Sequence, residues 1–169
     1  MKEIPLTQGQ IQIVDDEDCG WLNDMGSWFA KWDSHTKSFR AARSVGPRLK
    51  QQTIRMHNVI WEHYNDPIPD GYTVDHINRD TLDNRLSNLR LATKSQQMQN
   101  QGLRKDNTSG HRGVHRHGDK WHASISADGK RIHLGTFTDR ADADSAYNRA
   151  ALIHHPKFAR LDFPDEVAS

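Results

Sequence analysis

A chain of 169 residues is the size of one domain or two small ones, and its formal net charge of +1 singles out no partner. The single cysteine, Cys19, excludes an internal disulfide and a cysteine-rich zinc site and fits a reducing cytoplasm. The N-terminal stretch lacks the apolar centre of a signal peptide, and no apolar run approaches the roughly 20 residues of a membrane span, so a soluble cytoplasmic protein with no membrane partner is expected.

Charge is unevenly spread along the chain. Residues 1–35 are acidic, with Asp15, Asp16, Glu17 and Asp18 in a row. Residues 36–60 carry Lys37, Arg40, Arg43, Arg48, Lys50 and Arg55 and no acid, which marks a candidate phosphate-binding surface. Ile11, Ile13 and Val14 predict a first strand, ended by the acidic turn Asp15–Asp18. Trp21, Trp28, Phe29 and Trp32 are read as core. Lys37–Arg43 reads as a strand with Phe39 inward and its basic side chains along a groove, and Gly46-Pro47 as a turn. Ile54–Tyr64 reads as a helix with Met56, Val59, Ile60 and Tyr64 on one stripe, ending at Asn65-Asp66-Pro67 because proline cannot continue it. His57 and His63 are taken as packing or hydrogen-bonding residues, and Pro67, Pro69 and Gly71 as a loop.

The chemistry concentrates between Val74 and Asn100. Tyr72 and Val74 lead a short strand into Asp75-His76. A turn rich in Asn and Asp follows (Asn78, Asp80, Asp83, Asn84), then Ser87-Asn88 and a second strand through Leu89 and Leu91. Thr93-x-x-Gln96 has the form of a capping box and starts a helix carrying Gln97 and Asn100 on one face. A carboxylate offers a hard oxygen that suits magnesium or manganese better than zinc, and an imidazole takes a proton from water near neutral pH. Asn88 has the alternative of being a loop residue with no role beyond its hydrogen bonds.

This strand–loop–strand–helix stretch resembles the ββα-metal active site of HNH nucleases of the phage and homing-endonuclease kind. The resemblance implies Asp75 as metal ligand, His76 as general base and Asn88 as the residue that orients it. It puts the helix ligand at Gln97, where the family usually has Asn or His, with Asn100 as the alternative ligand one turn further on. The cofactor implied is Mg2+ or Mn2+, with no structural zinc and no small-molecule cofactor.

Gln101–Gly110 is polar and reads as a linker. Beyond it come three strand candidates: Arg112–His117, Lys120–Ala127 (Trp121, Ala123 and Ile125 alternating with His122, Ser124 and Ser126) and Lys130–Gly135. Asp128-Gly129 signals a hairpin. A helix from Thr138 has Asp139 at its positive end and Ala143, Ala146, Tyr147 and Ala150 as its apolar stripe. Arg112-Gly113-Val114, Lys120-Trp121, Leu134–Phe137 and Ala146-Tyr147 resemble the APETALA2-type DNA-binding domain, over roughly 109–160. Arg112 and Arg131 match contacting arginines of that family, whereas His115, His117 and His133 stand where it has Arg or Trp. Arg116 and Lys120 are counted with them as DNA-binding. The histidines His111, His115, His117, His122 and His133 also invite a metal reading, but His115, His117 and His133, which could share a face, have no cysteine or acid next to them in the sequence, and contact with a DNA groove is preferred.

The fold expected is α+β: a β-rich region leading into a ββα-metal core over 1–100, a linker at 101–110, and a three-stranded antiparallel sheet packed on one helix over 111–169. The function expected is a metal-dependent, homing-type DNA endonuclease of a bacterial or phage-infected cell. It acts as a monomer on double-stranded DNA, with Lys37, Arg40, Arg43, Arg48 and Lys50 contacting the substrate and the C-terminal module anchoring it. The alternative is a catalytically weak or inactive DNA-binding regulator that keeps the nuclease fold.

Overall fold

Short strands need partners to be stable, and the computed structural model shows where this chain finds them. It describes residues 1–100, 107, 109–127, 129–156 and 158–159. Contacts divide the chain into two compact units, Met1–Lys94 and Ser95–Ser169. The mixture of helices and small antiparallel sheets is α+β.

In the first unit the expected strand β2 (Ile11–Val14) pairs with β1 (Lys2–Pro5), which has only one buried residue and no alternation to announce it. The acidic run is a turn only as far as Glu17, because Asp18 opens helix α1 (Asp18–Asp24). The Asp18 side chain is fully buried, and its Oδ1 accepts from Trp21 Nε1 at 3.0 Å and the Tyr64 hydroxyl at 2.7 Å. A second sheet runs β3 (Phe29–Asp33), β4 (Ser38–Val45), β5 (Gln52–Arg55), all antiparallel. Helix α2 (Met56–Tyr64) begins two residues later than its apolar stripe predicts, since Ile54 and Arg55 are spent on pairing with Arg43 and Ala42. A two-stranded ribbon, β6 (Tyr72–His76) with β7 (Leu89–Thr93), completes the unit.

Ile4, Val14, Leu22, Trp28, Met56, Ile60, Val74 and Leu89 form one core. Trp32 does not belong to it. It is 51% exposed and lies edge-on to Phe39, its cross-strand partner near the hairpin end, at 4.9 Å between ring centroids.

A short helix, α3 (Lys94–Asn100), begins directly after Thr93, where the capping box places it. Most of the expected linker, residues 101–106 and 108, lies outside the described residues, as does Asp128 of the hairpin signal. The second unit has strands in the order β10 (Lys130–Phe137), β9 (Lys120–Ala127), β8 (Val114–His117), antiparallel throughout. Helix α4 (Arg140–His154) covers one face, with Asp139 Oδ1 accepting from Ala141 N at 2.7 Å as its N-cap. Val114, Ala123 and Ala143, then Ile125, Ala150 and Ala151, fill the interface, with Trp121, Phe137 and Tyr147 packed against them. β10 runs two residues past the expected Gly135 because a register shift between His133 and Gly135 lets pairing resume.

Candidate active site and nucleic-acid interface

Alternation along β6 turns Val74 and His76 inward, 5% exposed each, and leaves Asp75 half-buried on the other face. His76 Nε2 lies 3.0 Å from Asn84 Oδ1. Asn84 is fully buried and its Nδ2 donates to Gln12 Oε1 at 3.1 Å. With the amide nitrogen so committed, the oxygen faces the ring. An oxygen only accepts, so the Nε2 of His76 carries the proton and Nδ1 carries the lone pair.

The loop is tied to β2 as well as to itself. Ile13 N donates to Leu82 O and Asn84 N to Ile13 O, each at 2.8 Å, and Leu86 N donates to Asp15 Oδ2 at 2.8 Å. Within the loop Asn88 Oδ1 accepts from Asn78 N at 3.0 Å, and its Nδ2 donates to Asn78 Oδ1 at 2.9 Å and Asp83 O at 2.7 Å. Asn88, expected to orient the histidine, thus holds the loop closed, and it is Asn84 that is bonded to the ring. Sequence reading placed Asn84 only in a polar turn. Its partner Gln12 stands 72 positions upstream, and nothing local signals the pair.

A second histidine lies against this ring. His57, 3% exposed at the start of α2, meets His76 edge-on with ring centroids 4.9 Å apart. Burial above all, then the neighbouring His76, Arg55 and Arg40, pushes His57 well below the ordinary imidazole value. Burial also lowers His76, opposed by its hydrogen bond to Asn84. Both rings are therefore neutral at neutral pH.

The unfolded chain protonates His57 near the ordinary value of 6.5, whereas the folded unit resists until well below it. Stability is complete above that value and is lost as pH falls toward the depressed one, at about 1.4 kcal/mol per pH unit for one such group. Urea unfolding of the first unit at pH 7.5 and pH 5.5 measures this, and His57→Phe should flatten the difference. Equal stability at both pH values would show that His57 does not stay neutral on folding.

Asp75 faces Arg90 directly across the ribbon, with Arg90 Nε at 3.2 Å and Nη2 at 3.1 Å from its Oδ2. Counting the pairing back from the loop would have found this partner. Among the described residues no group of three or more His, Cys, Asp or Glu is placed to hold a metal. A half-buried carboxylate fits a hard dication of the kind that takes one or two carboxylates and completes its shell with water and phosphate oxygens. Gln97, half-buried, and Asn100, 8% exposed, are on α3, in the segment grouped with the second unit from Ser95 onward.

The basic segment does not form one groove. Arg40 is partly buried and ion-paired with Asp33 of the neighbouring strand, an acid that lies just outside the basic stretch in sequence. Alternation sets Arg40 and Arg43 on opposite faces of β4. Lys37, Arg48 and Lys50 are exposed. On the second unit, His115 and His117 of β8, His122 of β9 and Arg131 and His133 of β10 share the sheet face away from α4. Arg116 alternates to the other side, its Nε donating to Gly118 O at 3.1 Å, and Lys120 is exposed beside His117. Arg112 precedes β8 and is half-buried. His111 stands apart from the other histidines, buried with its Nδ1 3.2 Å from Asp144 Oδ2.

Residues 55–99 match the HNH endonuclease family. The chain is 35% identical over 109 residues to Protein 3.8 of Escherichia phage T7, an overlap of 63% of this chain and 89% of that protein. Dehydration-responsive element-binding protein 2E of Arabidopsis thaliana is 45% identical over 42 residues, 25% of this chain and 17% of its own length. An ethylene-responsive transcription factor-like protein of the same plant is also 45% identical over 42 residues, 19% of its length.

Proposed function

Because the chain belongs to the family of phage T7 Protein 3.8 and carries an HNH endonuclease domain over residues 55–99, we propose that it is a metal-dependent, homing-type DNA endonuclease in which His76 is the general base. The observation that carries this reading is a buried, neutral imidazole locked by Asn84 and Gln12, next in sequence to the Asp75 carboxylate on the other face of β6. Nδ1 of His76 takes a proton from water as the oxygen attacks phosphorus, and the phosphodiester P–O bond breaks on the opposite side. Asn84 keeps the ring in the tautomer that has its lone pair on Nδ1. A Mg2+ or Mn2+ ion would be held by Asp75, with Gln97 or Asn100 as the amide ligand put forward by the sequence pattern, and would stabilise charge on the phosphate and leaving oxygen.

The second unit is the anchor in this proposal. One plant protein to which the chain is similar over 42 residues is by name an element-binding protein. A three-stranded sheet presenting Arg131, His115, His117 and His133 on one face suits a major groove, and Arg112 and Lys120 extend its contacts, whereas Arg116, on the other side of β8, would reach the DNA only by turning from Gly118 O. Lys37, Arg43, Arg48 and Lys50 would touch phosphates around the cleavage site, and Arg40 would do so only by leaving Asp33.

A second reading, a DNA-binding protein that does not cut, is favoured by one observation: Arg90 already neutralises the carboxylate that would hold the metal. A plasmid nicking assay decides between them. The endonuclease converts supercoiled plasmid to open or linear forms with millimolar Mg2+ or Mn2+ and stops in EDTA. Plasmid retardation without any strand break, over a full titration of both metals, would establish the second reading.

A further inference from the structure

His122 sits at the centre of an imidazole cluster on the solvent face of the second sheet. Its ring centroid lies 4.9 Å from that of His117, 5.6 Å from that of His115 and 5.6 Å from that of His133. His115 is its direct cross-strand partner on β8, and Thr136 faces it from β10. The remaining groups on this face are Ser124 and Arg131, which are joined by a 3.1 Å hydrogen bond from Arg131 Nε to Ser124 Oγ. Asp119 and Lys120 lie at the β8–β9 turn, and α4 packs on the opposite face. Among the described residues no carboxylate occupies a strand position of the histidine face.

Clustered imidazoles with no acid among them are easy to keep neutral and hard to charge together. Partial burial of His122, then His117, His115 and His133, holds it below the ordinary imidazole value. A row of phosphates is the counter-charge that this face lacks. Each imidazolium that forms against a phosphate gains a charge-assisted hydrogen bond that the neutral ring cannot make.

We infer that duplex DNA bound on this face is held by protonation, the histidine cluster taking up protons from solvent as the phosphates approach. The inference rests on the reading of the second unit as a DNA anchor. Imidazoles in the complex hold their protons to higher pH than in the free protein. The added affinity is therefore fully present below the free-protein values and is lost as pH rises through those of the complex. Each coupled proton changes affinity by about tenfold per pH unit within that window. It also steepens the log–log salt dependence by about 0.9 for each phosphate newly neutralised.

The test uses the full chain and a fluorescent duplex in EDTA, so that no strand is cut. Anisotropy titrations at pH 6.0 and pH 8.0 and one ionic strength should show binding tighter by about tenfold or more at pH 6.0. The triple change His115→Gln, His117→Gln and His133→Gln should remove most of that difference. Calorimetry of the unaltered protein in two buffers of different protonation enthalpy counts the protons without relying on any variant, and the expected count is at least one. Binding that ignores pH, a proton count near zero, or a pH effect untouched by the triple change overturns the inference and leaves the anchor reading intact. Failure to bind duplex at either pH overturns the anchor reading and this inference with it.

Discussion

Replacing His76 with alanine should lower DNA cleavage by about 10²–10⁴-fold, the usual contribution of a positioned general base. The ring is 5% exposed, so the melting temperature of the variant is measured beside its cleavage to separate lost chemistry from lost packing. A matched variant separates the ring from its support. Asn84→Ala removes the acceptor that selects the tautomer and leaves Gln12 buried without that partner, at a cost of about 1–3 kcal/mol in stability. Its cleavage should fall less than that of His76→Ala, and the acid limb of its pH–rate profile should move. Asn84 raises the protonation value of His76, so without it the limb shifts to lower pH. Nicking rates across pH 5–8 for the three proteins measure both effects. Undiminished cleavage by His76→Ala would remove this histidine from the mechanism.

The second large effect is structural and falls on the other unit. Gly113 has φ +60, and a Cβ there would meet Ser124 O at 2.3 Å and the Tyr147 ring at 2.4 Å. Neither neighbour can yield cheaply, because one is strand backbone and the other is the aromatic on which α4 seats. Gly113→Ala should destabilise the second unit by about 3 kcal/mol or more, adding backbone strain to overpacking. Gly118 supplies the control. It has the same φ of +60 with nothing within 4 Å of its Cβ position, so Gly118→Ala carries the strain alone, about 1 kcal/mol. Thermal melts followed by circular dichroism compare the two, and equal melting temperatures would show that the Tyr147 contact is not tight.

Much of this architecture is legible in the sequence because it is periodic. Val74 against Leu89 and Leu91, Met56 and Ile60 of the α2 stripe, and the alternation of Trp121, Ala123 and Ile125 declare a buried face, whereas Tyr72 and Tyr64, on the same periods, stay exposed. Elements without a period are not legible. β1 is four residues long, ends in proline and buries only Ile4, and β5 offers one apolar residue, Ile54. α1 has seven residues including a glycine, too short to hold without tertiary contacts, and it is set by the buried carboxylate of Asp18. The candidate site divides the same way. The pattern around Asp75-His76 is local and readable, whereas Arg90, Gln12 and Asp33 become partners only through strand pairing. The charge map misled at Arg40 for that reason, since its acid comes from an adjacent strand seven positions upstream.

The bonds between β2 and the histidine loop set a limit on portability. Residues 55–99, moved into another protein, would bring His76, Asn84 and Asn88 along. They would leave behind the Ile13 carbonyl that receives Asn84 N, the Asp15 carboxylate that receives Leu86 N, and the Gln12 amide that aims Asn84 at the ring. The smallest cassette that keeps the histidine aimed therefore includes residues 11–15. A lineage that exchanged such modules by recombination within residues 16–54 would inherit a readable motif with a misdirected histidine.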